Sequence, residues 1–72
     1  MADIEERLEK LRAERGEYFD EGDMLSWYYL HGRIEYLGGV APAKCIVDKF
    51  TEARRMGWLD EQAEQDEYSK TG

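Results

Sequence analysis

Apolar positions along the chain recur at helical spacing, and nowhere do they alternate as a strand would. Ile4, Leu8, Leu11, Arg15 and Tyr18 follow one another at separations of four and three. At 3.6 residues per turn these positions form a single narrow stripe. The stripe predicts a helix over 3–19, with Asp3 as its cap and Glu6 completing an approximate capping box. Arg15 interrupts the stripe, and its stem can lie over apolar surface while its head reaches water. Asp20-Glu21-Gly22-Asp23 reads as a turn, with Gly22 free to take positive φ and Asp23 suited to cap a second helix over 24–37. Gly38-Gly39 ends that helix. Pro42 suits the first turn of a third helix over 42–56, whose apolar face is Ala43, Ile46, Val47, Phe50 and Ala53. Gly57 before Trp58 reads as its stop. The remainder, LDEQAEQDEYSKTG, is poor in apolar residues and reads as an acidic tail over 60–72, weakly ordered or at most a short fourth helix. The expected fold is therefore all-α: an antiparallel hairpin plus a third helix, a three-helix bundle over 1–59.

The second helix carries two apolar stripes. Trp27, Leu30, Ile34 and Leu37 lie on one side, with Met24 and His31 at its margin, and Leu25, Tyr29, Gly32 and Tyr36 lie almost opposite. In a hairpin turning at Gly22 the first stripe meets helix 1, with Leu8 opposite Leu37, Leu11 opposite Ile34, Arg15 opposite Leu30 and Tyr18 opposite Trp27. The second stripe needs a cover, and helix 3, a second copy of the chain and another protein are the alternatives. Gly32 within it lets a neighbouring backbone come close, which offsets a helix-propensity cost of about 1 kcal/mol. Tyrosine dominates binding hot spots, so Leu25, Tyr29, Gly32 and Tyr36 are the candidate partner-binding face.

Size sharpens this expectation. A chain of 72 residues buries only about 60% of the surface its unfolded form exposes, and such domains lean on disulfides, metals or partners. Cys45 is the single cysteine, so no internal disulfide forms, and self-association or a bound partner becomes the expected support. The lone thiol and the charged start MADIEERLEK, which lacks a signal-peptide pattern, point to a cytoplasmic location. No apolar run in the sequence reaches membrane-spanning length.

The net charge of −7 is unevenly spread: residues 1–23 carry −5, residues 24–59 carry +2 and residues 60–72 carry −4. Acidic ends disfavour duplex binding, which depends on neutralising phosphates. They suit a basic surface on another protein, with Asp3, Glu5, Glu6, Glu9, Asp60, Glu61 and Glu64 as candidate contacts. The same acids also serve solubility.

Chemistry finds little footing. His31 has Glu35 one turn on, but no serine or cysteine nucleophile shares its face, so it reads as a packing residue. Cys45 falls opposite the apolar face of the expected third helix, near its N-terminal end, where a thiol is more acidic. No ligand spacing suggests a metal or a cofactor, and Gly38-Gly39 lacks the lysine and serine of a phosphate loop. Lys44 and Arg55 fall within about 20° of each other on the expected third helix, flanked by Lys49 and Arg54, which makes a diffuse basic face of helix-turn-helix type. An enzyme is not expected.

The segment LHGRIEYL, with Leu11, Met24, Leu30, Arg33, Ile34 and Leu37 in place, resembles the UVR motif, a short helical hairpin of excision-repair subunits and some Clp-type chaperones. The likeness spans about residues 8–37 and implies a hairpin used in protein–protein contact, often in pairs. Tyr18, Phe19, Trp27 and Tyr28 stand where that family has small alanines. In general type, a small acidic helical chain is similar to phage-encoded inhibitors of host machinery, including anti-CRISPR proteins. The function expected from the sequence is a small protein–protein interaction module, homodimeric, acting by surface occupation. A charge-mimicking inhibitor of a nucleic-acid-binding protein is the first alternative, and a small DNA-binding regulator the second.

Overall fold

The computed structural model describes residues 4–71, with side chains described as far as Glu67. Among the described residues there are three helices, α1 (Ile4–Glu21), α2 (Met24–Leu37) and α3 (Lys49–Thr71), and no strand. The all-α, three-helix architecture agrees with the periodicity. Asp3, expected to cap α1 and to belong to the acidic surface, lies outside the described residues.

Both turns of α2 are closed by glycine. Gly22 takes φ 79°, and the Gly22 and Asp23 amides donate to the carbonyls of Phe19 and Tyr18 at 3.1 and 2.9 Å. Those two bonds satisfy carbonyls that the end of α1 would otherwise leave open. Asp23 then starts α2, its Oδ1 accepting from the Ser26 amide at 3.2 Å and its Oδ2 from the Ser26 hydroxyl at 2.8 Å. At the other end Gly39 (φ 78°) repeats the motif, its amide donating to Tyr36 and that of Val40 to Glu35.

The third helix differs from expectation at both ends. Residues 42–48 are not helical, and α3 starts at Lys49 because Asp48 caps it, accepting from the Thr51 amide at 2.8 Å and hydroxyl at 2.9 Å. Those bonds hold the Asp48 carboxyl below the usual range. Ile46 and Val47, assigned by periodicity to the apolar face of helix 3, are instead 51% and 79% exposed in the connecting loop. Gly57 does not stop the helix either. It is buried in the middle of α3, which continues through the 60–71 stretch read as a tail.

The reason is a crossing of two glycines. A Cβ on Gly32 would lie 1.7 Å from the Arg54 carbonyl oxygen, and one on Gly57 would lie 1.8 Å from that of Tyr29. Both positions therefore require glycine, and the backbones of α2 and α3 meet there directly. A propensity-based stop signal is overridden by this contact.

α1 and α3 each pack on α2 and, among the described residues, make no close backbone approach to each other. The molecule is accordingly flat, 36 × 26 × 16 Å, an open bundle with α2 in the middle. Its apolar centre is thin. Among the described residues Leu11 and Leu30 are the buried hydrophobic side chains, at 3% and 6% exposure. Among the described residues no helix is long and apolar enough to cross a membrane.

Candidate functional site

A polar cluster joins α1 to α3. Glu61 of α3 is fully covered, at 0% exposure. Its Oε1 accepts from Arg7 of α1 and from Arg33 of α2, both at 3.0 Å, and its Oε2 accepts from Gln65 at 2.8 Å. Glu64, more exposed, accepts from the same two guanidinium groups at 3.1 and 2.7 Å. Arg33 also donates to the Tyr29 hydroxyl at 2.8 Å, and that hydroxyl donates to Asp60 at 2.5 Å. Every helix contributes to this cluster, and among the described side chains no buried polar atom lacks a partner.

The electrostatics follow from this geometry. Burial pushes the Glu61 carboxyl up, but the bonds from Arg7, Gln65 and Arg33 together with the Arg7 charge more than reverse it, leaving it below the ordinary value. Burial draws Arg33 down, and its bonds to Tyr29 and Glu64 outweigh that, so its pKa ends raised. The bond to Glu61 is the main reason Arg7 is raised. Tyr29 is raised by burial and by its bond to Asp60, against the opposing effect of Arg33.

A second polar set flanks the glycine crossing. Arg54 of α3 grips Glu35 of α2 with two bonds of 2.5 and 2.6 Å. Glu35 Oε2 lies 4.0 Å from His31 Nε2. On its other side His31 Nδ1 meets Arg15 of α1 at 2.8 Å. A guanidinium only donates, so Nδ1 must accept, and the proton of the neutral ring sits on Nε2. The imidazole stacks on Trp27 with centroids 4.9 Å apart, and Arg15 also lies over the Trp27 ring at 5.1 Å. Burial, countered by Glu35 and assisted by Arg15 and Arg54, lowers the His31 pKa.

The residues expected to form a partner face fall as follows. Gly32 is buried under α3, Tyr29 bonds to Asp60, and Tyr36 meets Trp58 edge-on with centroids 5.0 Å apart. The tyrosine stripe is thus covered by α3 of the same chain. Leu25 alone of the four remains exposed, at 42%. Of the expected acidic contacts, Glu5, Glu6 and Glu9 are exposed on α1. Glu61 is not a surface residue at all, and Asp60 and Glu64 are tied to Tyr29, Arg7 and Arg33. Two aligned guanidinium groups on α1 and α2 demand carboxylates, and α3 supplies them.

Arg7 and Arg33 as cluster members escaped the sequence reading. Their signal is the spacing Phe50, Arg54, Gly57, Glu61, which continues a helical stripe once Gly57 is not treated as a stop. The diffuse basic face does not form, because Lys44 lies in the loop and Arg54 is paired inward. Cys45 is exposed in that loop rather than placed at a helix end. Among the described residues no group of three or more histidine, cysteine, aspartate or glutamate side chains is arranged to hold a metal ion.

One concavity accompanies the cluster, a groove of about 300 Å³ between α1 and α2. Arg7, Leu11, Glu14 and Tyr18 line one wall, and Ser26, Tyr29, Leu30 and Arg33 the other. Comparison with protein-family models, curated proteins and solved structures finds no match for this chain.

Proposed function

We propose that this chain is a small protein–protein interaction module that works inside the cell by occupying a partner's surface. The observation that carries this reading is the outward placement of apolar side chains within one loop: Val40, Ile46 and Val47 are 48%, 51% and 79% exposed. Groups of such side chains on a small charged domain mark contact surfaces. The net charge of −7 supports it further, and Glu5, Glu6 and Glu9 stand exposed on α1. An acidic exterior favours basic partners and speeds encounter with them.

A homodimer, in this reading, uses the loop carrying Val40, Ile46 and Val47 rather than Tyr29 and Tyr36. Sedimentation equilibrium tests it: the wild type is expected above monomer mass and Ile46→Glu/Val47→Glu at monomer mass. Two monomers at high concentration remove the dimer from the proposal. The charge-mimic reading is favoured by Glu5, Glu6 and Glu9 standing exposed on one helix. Salt separates the two. Binding through apolar contacts persists as ionic strength rises, whereas charge mimicry collapses once the screening length falls to a few Å, about 3 Å at 1 M. A DNA-binding regulator would instead shift duplex at low salt, and no shift with excess DNA discards it.

A further inference from the structure

The groove between α1 and α2 holds polar groups that the fold itself does not use. Its floor is Leu11 and Leu30, the buried apolar side chains. At one end Arg7 and Arg33 are neutralised by Glu61 and Glu64. Toward the turn the lining changes to Glu14, Tyr18, Ser26 and Tyr29. Ser26 is spent on Asp23, and the Tyr29 hydroxyl on Arg33 and Asp60. The Glu14 carboxylate and the Tyr18 hydroxyl, both half-buried and one helical turn apart, have no hydrogen-bond or ion-pair partner among the described residues. Glu14 thus lines the groove with no counter-charge paired to it, and a cation entering the groove would gain a charge-assisted hydrogen bond there.

We propose that this groove is a socket for one arginine or lysine side chain presented by a partner protein. The leucine floor receives the aliphatic stem, Glu14 receives the charged head, and the tyrosine rings lie beside it. Tyr29 already carries a guanidinium in this way, with Arg33 Cζ 5.1 Å from its ring centroid. An anion is disfavoured, because the guanidinium groups at the far end are taken by carboxylates while Glu14 faces the cavity uncompensated. A volume of about 300 Å³ matches one long side chain and is at the small end for a drug-sized ligand. The socket rests on the interaction-module reading and names the chemistry of the contact.

The test is a two-dimensional amide NMR titration of the full chain with N-acetyl-arginine amide, compared with N-acetyl-leucine amide and inorganic phosphate. Saturable shifts are expected at Leu11, Glu14, Tyr18, Tyr29 and Leu30 with the arginine probe only. Glu14→Gln is expected to weaken them about fivefold or more, as loss of a charge-assisted bond does. Glu14 has no fold partner to lose, so the variant's unchanged helical signal certifies folding, and Tyr18→Phe serves as a second variant. Equal shifts with leucine amide, shifts with phosphate, or arginine shifts scattered over Glu5, Glu6 and Glu9 that ignore Glu14→Gln would each overturn the socket. If the wider reading fails, the protein captures no partner at any salt while the groove still titrates. If the socket alone fails, partner capture survives Glu14→Gln and the probe finds no saturable site.

Discussion

Replacing Gly32 by alanine distinguishes two accounts of this fold by the sign of the effect. On an uncovered helix face, Gly→Ala stabilises by about 1 kcal/mol, because alanine loses less backbone freedom and favours the helix. In the structure the added Cβ would sit 1.7 Å from the Arg54 carbonyl oxygen, 2.7 Å from its carbon and 3.0 Å from the Trp58 amide nitrogen. All three are backbone atoms of a helix, so no side chain can swing away. The helices must separate by more than 1 Å, which lengthens the Arg54–Glu35 and Tyr29–Asp60 bonds on either side of the crossing. Overpacking of this kind costs about 3 kcal/mol or more, leaving a net loss of roughly 2 kcal/mol after the helix gain. A domain of this size has about 4–10 kcal/mol in total, so the midpoint should fall by roughly 10 °C or more. Urea and thermal melts followed by far-UV circular dichroism measure it, with Gly16→Ala as the control. Gly16 is exposed within α1 and a Cβ added there would meet nothing within 4 Å, so alanine there is expected to stabilise. If Gly32→Ala is as stabilising as Gly16→Ala, the glycine crossing does not exist in solution and α3 does not cover the tyrosine stripe.

Glu61→Ala removes the shared acceptor of Arg7 and Arg33 and is expected to cost about 3–5 kcal/mol, the range for breaking a buried pair from one side. A loss below 1 kcal/mol by urea titration would mean that water already reaches the cluster. Stability should also fall with acid. A carboxyl depressed in the fold, as Glu61 is, stabilises above its unfolded value of 4.5 and loses that contribution as pH falls toward the folded value. His31, whose folded pKa lies below 6.5, prefers to be neutral, so the unfolded chain takes up the proton first and stability declines as pH drops below 6.5. An NMR titration of the His31 ring should give a midpoint under 6.5 that rises in Arg15→Gln, since Arg15 is one of the charges opposing protonation. Trp58→Phe deletes the bond from Nε1 to the Val40 carbonyl, 2.8 Å long. Its loss should cost about 1 kcal/mol and speed amide exchange at the start of the 40–48 loop, which unchanged exchange would contradict.

The elements of α1 and α2 are readable from local chemistry alone. The Ile4–Tyr18 stripe, the Asp23 cap and the glycines at 22 and 39 each act on neighbours within about five residues, so residue type and spacing are enough to place them. The bounds of α3 are not readable in this way. Asp48 lies inside a stretch whose apolar periodicity suggests continuous helix, and only its bonds to Thr51 separate loop from helix. Gly57 carries the local mark of a stop, yet its function is set by Tyr29, distant in sequence, whose carbonyl leaves no room for a Cβ. The acids at 60–64 read as a solvated tail because they are charged. They are ordered, and Glu61 is buried, only because Arg7 and Arg33 converge on them from two other helices. Short-range hydrogen-bonding geometry is encoded residue by residue. Close backbone approach and the neutralisation of buried charge depend on which distant segments meet, and the tertiary structure alone decides that.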